Sequence, residues 1–117
     1  MIPISVVIPC YNVENYIIEC LDSILHQSYE PEEIIIVDNN CTDKTIEIAE
    51  NHLHGSTIKS LFIKETKQGA PYARNKGYKM ASSNWIQFLD ADDTLLKDKL
   101  LTHDFCLHYH PFGKVVG

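Results

Sequence analysis

Two hydrophobic periodicities alternate along the chain. Ser5-Val6-Val7-Ile8 is a continuous apolar run closed by Pro9, the pattern of a strand buried on both faces. Val13, Tyr16, Ile17, Cys20, Leu21, Ile24 and Leu25 then recur at three- and four-residue spacing, which predicts an amphipathic helix from Glu14 to Gln27. Pro31 closes that region, because proline disfavours helical geometry in the residue before it. Ile34-Ile35-Ile36-Val37 is a second doubly buried strand. Ile46, Ala49 and Leu53 mark one face of a second helix, capped by Thr42 or Asp43 and stopped by Gly55. Ser60-Leu61-Phe62-Ile63 reads as a third strand, and Pro71 suits the first turn of a helix running to Ser82. Trp85-Ile86-Gln87-Phe88-Leu89 is a fourth strand, Lys97 to His110 is helical, and Lys114-Val115-Val116 begins a fifth strand.

The order β-α-β-α-β-α-β-α-(β) predicts an α/β fold, a mostly parallel sheet flanked by helices on both faces. No repeat, low-complexity segment or linker interrupts it, so residues 1–117 are expected to form a single domain. The last strand begins where the chain stops, and a continuation beyond Gly117 is expected.

Composition narrows the function classes. Among 117 residues, 10 Lys and Arg stand against 16 Asp and Glu, a net charge of −6. With no basic stripe, that charge gives no general attraction for nucleic-acid phosphates. An apolar fraction of 44% and a charged fraction of 22% are those of a globular chain. No apolar run approaches the ~20 residues of a membrane span. Cys10, Cys20, Cys41 and Cys106 form neither a C-x-x-C pair nor a dense framework, so free thiols in a reducing, cytoplasmic compartment are expected. Cys10 and Cys41 both follow strands and read as small buried residues or as redox partners.

Ligands of open parallel sheets bind beyond the carboxyl ends of the strands. Pro9-Cys10-Tyr11-Asn12, Asp38-Asn39-Asn40 and Asp90-Ala91-Asp92-Asp93 each follow a strand and should converge on one rim. Three carboxylates within four residues repel one another unless a cation lies between them. Oxygen-only donors suit Mg²⁺ or Mn²⁺ rather than zinc. The alternative is that Asp92 or Asp93 caps the helix after Thr94-Leu95-Leu96. Gly69, Ala73, Gly77 and Ala81 recur every four residues, a nearly bare helix face that permits close approach to sheet or ligand. Arg74, the only arginine, can hold a phosphate, an acidic cluster or both. Tyr11 can stack on a nucleobase or simply pack. Asp38 can bind a ribose or base, or cap the 42–53 helix. Neither a G-x-x-x-x-G-K nor a G-x-G-x-x-G phosphate loop is present, and there is no G-x-S-x-G elbow. His103, Cys106, His108 and His110 fit no standard zinc spacing, and His26, His52 and His54 suit helix ends.

In order and spacing, six segments resemble the nucleotide-binding half of the inverting family-two glycosyltransferases, which have the GT-A fold. They are Ser5–Asn12, Cys20–Tyr29, Glu33–Asp38, Thr42-Asp43, Gly69–Gly77 and Phe88–Asp93, and the resemblance spans Ile4 to Leu96. It implies that Pro9 and Tyr11 line a base pocket, that Asp38 faces the nucleoside, and that Gly69, Arg74 and Ala91 lie along the nucleotide-sugar. Asp90 and Asp92 would form a D-x-D element at the ribose and metal, with Asp92 the principal ligand and Asp93 behind it. The implied cofactor is Mg²⁺ or Mn²⁺. The implied partners are a nucleoside-diphosphate sugar, UDP-linked by expectation, and a glycan, lipid or protein acceptor, as in polysaccharide biosynthesis. The implied reaction is a single displacement with inversion.

Two departures stand out. The family's Asp-Asp-Gly-Ser-Thr-Asp is here Asp38-Asn39-Asn40-Cys41-Thr42-Asp43, so Asn39 stands where a base-reading carboxylate often lies. An amide can accept from a uracil N–H but can also donate. The family's Asn-x-Gly is here Lys67-Gln68-Gly69, which adds a positive charge. No residue is assignable as the catalytic base, expected beyond Gly117, and the chain alone is expected to bind nucleotide-sugar poorly or transfer slowly. A non-catalytic nucleotide-binding module and a structural oligomerisation domain are the alternatives. A homo-oligomer is open under each reading, as is attachment of a full-length protein at the inner face of a membrane.

Overall fold

Runs such as Val6-Val7-Ile8 and Ile34-Ile35-Ile36 have no polar face to turn to water, and both are strands covered on each side. The computed structural model describes residues 3–97, 99, 100, 115 and 116. Its elements are β1 (Ile4–Cys10), α1 (Ile17–Leu25), β2 (Glu33–Asp38), α2 (Thr45–Leu53), β3 (Lys59–Lys64), α3 (Ala70–Met80), β4 (Trp85–Phe88) and β5 (Val115–Val116). Every strand pair is parallel, in the order β3-β2-β1-β4-β5. The predicted α/β architecture is present, and the strand order reverses between β1 and β4.

The two-residue period of the strands sorts their side chains onto two cores. Ile4, Val6 and Ile8 of β1 and Ile34 and Ile36 of β2 pack with Ile17, Cys20, Leu21 and Ile24 of α1 and with Ala49 and Leu53 of α2. The intervening Val7, Ile35 and Val37, with Ile86 of β4, pack with Ala73 and Ala81 on the α3 side. Helices therefore cover both faces, as the pattern predicts.

Element ends depart from the sequence reading for tertiary reasons. β1 does not stop before Pro9 but runs to Cys10. Leu89 N–H donates to Val7 O at 3.0 Å, so residue 7, and by alternation residue 9, faces β4. Pro9 has no N–H to offer there, and the ladder ends instead in β4, at Phe88 rather than the predicted Leu89. α1 begins at Ile17 rather than Glu14: residues 14–16 form a turn in which Val13 O accepts the N–H groups of Tyr16 at 2.9 Å and Ile17 at 3.0 Å, while Thr45 Oγ1 and Asp43 Oδ2 take the Val13 and Glu14 N–H groups at 2.9 and 3.2 Å. α2 begins at Thr45. Asp43 steadies its first turn by accepting the Thr45 N–H and hydroxyl, whereas the N-cap position itself is Lys44 and Thr42 is turned to Asn12. α3 ends at Met80 rather than Ser82, since the Ser82 N–H and hydroxyl both donate to Glu33. Except at 97, 99 and 100, the predicted 97–110 helix lies outside the described residues, as does the His103, Cys106, His108 and His110 group.

Glu33 is 1% exposed at the amino-terminal end of β2. Its Oε2 accepts from the Ser5 hydroxyl at 2.6 Å, the Ser82 N–H at 2.7 Å and the Ser82 hydroxyl at 2.8 Å, and Lys59 Nζ lies 3.8 Å from Oε1. Burial pushes this carboxyl up, but the Ser5 and Ser82 hydrogen bonds and the Lys59 charge outweigh it and hold the group below its ordinary value. A lowered folded-state pKa stabilises above the unfolded-state pKa, and that contribution disappears as pH falls through the folded value. Urea unfolding should therefore show stability falling as pH drops below the ordinary carboxylate range. Glu33→Gln should lose about 2 kcal/mol at neutral pH and flatten the acid limb.

Candidate functional site

The rim is built where β1, β2 and β4 end. Cys10 and Asp38 are register partners, and Asn39 N–H donates to Cys10 O at 2.9 Å, so the first two turns leave the sheet at one level. Asn12, at φ +49°, knits them together. Its Oδ1 accepts the N–H groups of Thr42 (2.8 Å) and Asp43 (3.2 Å), and its Nδ2 donates to Thr42 Oγ1 at 3.1 Å. Beside this brace Tyr11 stands 53% exposed, which leaves its ring free for stacking. The aspartate motif is a turn in which Asp93 N–H donates to Asp90 O at 2.9 Å, with Ala91 buried beneath it. Residues 93–96 are not helical, so Asp92 and Asp93 do not cap a helix there.

α3 supplies the third wall. Its small face is turned to the sheet: Ala73 is fully buried, and a Cβ on Gly77 would lie 2.3 Å from Val7 Cγ1. Of the two roles open to that face, packing against the sheet is the one observed. Arg74 Nη2 reaches Asp90 Oδ1 at 3.2 Å, with both side chains partly exposed. Lys67, the added positive charge, lies 4.2 Å over the Tyr72 ring.

A cleft of about 420 Å³ opens among these parts. Pro9 and Tyr11 line it from β1 and its turn, Asn39 from the β2 turn, Arg74 from α3, and Asp90, Ala91 and Asp92 from the β4 turn. These are seven of the residues singled out in the sequence. The other two flank the cleft: Asp38 Oδ1 accepts the Cys41 N–H at 2.9 Å, and Gly69, at φ +135°, leads into α3. Gln68 also lines the cleft, and Asn12 braces it, though the sequence motifs that contain them assign neither a role of its own. Asn12 carried a usable signal, since asparagine after a strand favours left-handed turn geometry. A second hollow, of about 440 Å³, lies at the opposite rim between the carboxyl ends of α1 and α2 and holds none of the predicted residues. There His52 Nε2 meets Asp22 Oδ1 at 2.7 Å, in keeping with a helix-end histidine.

The cleft presents two carboxylates, Asp90 and Asp92, against one guanidinium. Among the described residues no group of three or more His, Cys, Asp or Glu could cage a metal. One or two carboxylates fit Mg²⁺ or Mn²⁺, which take the rest of their oxygen ligands from water and phosphates. The three described thiols, Cys10, Cys20 and Cys41, are poor nucleophiles and poor metal ligands. Burial, then the nearby Asp93, Asp92 and Asp90 charges, push Cys20 up to about 12; burial likewise pushes Cys41 up to about 11 and raises Cys10 well above its ordinary value.

The profile of glycosyl transferase family 2 matches residues 5–103. The chain belongs to that family. Among family 2 relatives, the amylovoran biosynthesis glycosyltransferase AmsB of Erwinia amylovora is 41% identical over 101 residues, covering 85% of this chain and 34% of its own length. S. aureus TarS 1–349 in complex with UDP superposes with a TM-score of 0.78 at 30% identity, over 89% of this chain and 31% of that one. The mannosyltransferase PcManGT of Pyrobaculum calidifontis, in complex with GDP-Man and Mn²⁺, superposes with a TM-score of 0.81 at 26% identity, over 95% of this chain and 34% of that one. The chain spans 39% and 14% of the length of two further curated relatives. It thus has the GT-A fold of family 2 glycosyltransferases and corresponds to a minor part of their length.

Proposed function

We propose that this chain forms the donor site of an inverting, metal-dependent glycosyltransferase, and that the donor is a nucleoside-diphosphate sugar, UDP-linked in the first instance. One observation carries the reading: Tyr11, Arg74, Asp90 and Asp92, from two separate strand ends and α3, surround a single cleft beside the β1–β4 reversal. Ligands of open parallel sheets bind at such a reversal. In this reading Tyr11 stacks on the base, and the β1 and β2 turns hold the nucleoside. Asp92, with the free oxygen of Asp90, holds the divalent cation. That cation would stabilise the departing diphosphate when bound. Arg74 steadies Asp90 and faces the phosphates from α3. The sugar is then presented for in-line attack by an acceptor hydroxyl, with the proton taken by a base outside the 5–103 match. The acceptor proposed is a glycan, in line with a relative that is an amylovoran biosynthesis glycosyltransferase.

The test is calorimetry of UDP, GDP, CDP and dTDP with and without Mn²⁺. UDP binding that requires Mn²⁺ is the expected result. Failure of all four nucleotides to bind under either condition would overturn the donor-site reading. Transfer of a labelled sugar from UDP-sugar by a longer chain that includes this one would separate a transferase from a binding module.

A further inference from the structure

The segment from Glu65 to Gly69 has no regular secondary structure, yet it contributes Gln68 to the cleft wall and leads through Gly69 into α3. Two adjacent asparagines hold it. Asn39 Nδ2 donates to the carbonyl oxygens of Glu65 at 2.8 Å and Lys67 at 2.9 Å. Its Oδ1 accepts the Gly69 N–H at 2.9 Å and Gln68 Nε2 at 3.4 Å. Asn40, at φ +65°, donates Nδ2 to Thr66 O at 2.9 Å and to Gln68 Oε1 at 3.0 Å. Three successive carbonyls, of residues 65, 66 and 67, are thus gathered by two side-chain amides.

The Asn39 amide is fully committed. Both of its N–H hydrogens are given to carbonyls, its oxygen accepts two bonds, and the residue is 2% exposed. No carboxylate could do the same work, because at this position it would face two carbonyl oxygens with no hydrogen to offer. We infer that Asn39 is a positioning residue, which straps the Glu65–Gly69 segment and so fixes the cleft wall and the start of α3, and that it does not read the nucleobase. The inference rests on the donor-site reading above.

Two measurements on this chain test it together: amide exchange at Gly69 by NMR without nucleotide, and affinities for UDP, GDP, CDP and dTDP in Mn²⁺. Asn39→Asp should speed Gly69 exchange at least tenfold. It should weaken every nucleotide that binds by a common factor of about ten or more, leaving their order unchanged. Asn40→Gly, which removes the amide while suiting a φ of +65°, should move both readouts in the same direction by less. A Gly69 amide that exchanges at the rate of unstructured backbone in the parent chain would overturn the strap. So would an Asn39→Asp variant that reorders the four nucleotides, or that leaves Gly69 protected. No binding by the parent with Gly69 still protected would instead overturn the donor-site reading and support the strap.

Discussion

Asp92→Ala is expected to remove the Mn²⁺-dependent part of UDP binding, a loss of at least about a hundredfold. Asp93→Ala should stay within about threefold of the parent chain. The contrast follows from where the two carboxylates stand. Asp92 lines the cleft, Asp93 does not, and Asp90 already has one oxygen 3.2 Å from Arg74. The cleft's formal charge of two carboxylates against one guanidinium is 1 − 2 = −1, so a diphosphate meets repulsion until a divalent cation enters. Asp92→Ala relieves that repulsion and also removes the carboxylate proposed as the principal cation donor. Weak, metal-indifferent binding should therefore remain, and titrations with and without Mn²⁺ should become superimposable. Asp92 is exposed and caps no helix, so its melting temperature should change little, which separates loss of the site from loss of the fold. Undiminished Mn²⁺-dependent binding by Asp92→Ala would move the metal elsewhere.

The strands and the rim were legible in the sequence because they depend on period and order alone. Ile34–Val37 can be buried on two faces only inside a sheet, and alternation of strands with helices dictates parallel pairing. The convergence of Tyr11, Asp90 and Asp92 follows from a rule about strand ends. What the sequence does not carry is competition for individual N–H groups. Glu14 looks helical by spacing, yet the Tyr16 N–H closes a tight turn on Val13 O, and α1 starts three residues later. Ser82 looks like the last residue of α3, yet Glu33, distant in sequence, takes its N–H. Asn39 could be seen to stand in for a carboxylate, but its four partners lie in an irregular segment that no period announces. Local pattern locates elements, and side-chain-to-backbone hydrogen bonds then decide where they end and which polar groups stay free for a ligand.

Gly77→Ala is expected to lower stability by about 2 kcal/mol, against the usual helical preference for alanine over glycine. The added Cβ would stand 2.3 Å from Val7 Cγ1, 3.3 Å from Val7 Cγ2 and 3.2 Å from Val37 Cγ2. Both valines are fully buried on neighbouring central strands, and a β-branched side chain in a packed sheet has few other rotamers to adopt. The helix must lift from the sheet by roughly 1 Å to restore ordinary contact. That opens the Val7–Ile35–Val37–Ala73 core, and the gain of up to ~1 kcal/mol from replacing glycine in a helix is too small to offset it. For a domain of this size the melting temperature should fall by about 10 °C. Lifting α3 also carries Arg74 away from Asp90, so nucleotide affinity should fall together with stability. Val7→Ala combined with Gly77→Ala should be more stable than the sum of the single effects, because it removes two of the three methyl groups that the new Cβ meets. A Gly77→Ala chain that melts at or above the parent temperature would show that α3 does not pack on β1 through this glycine.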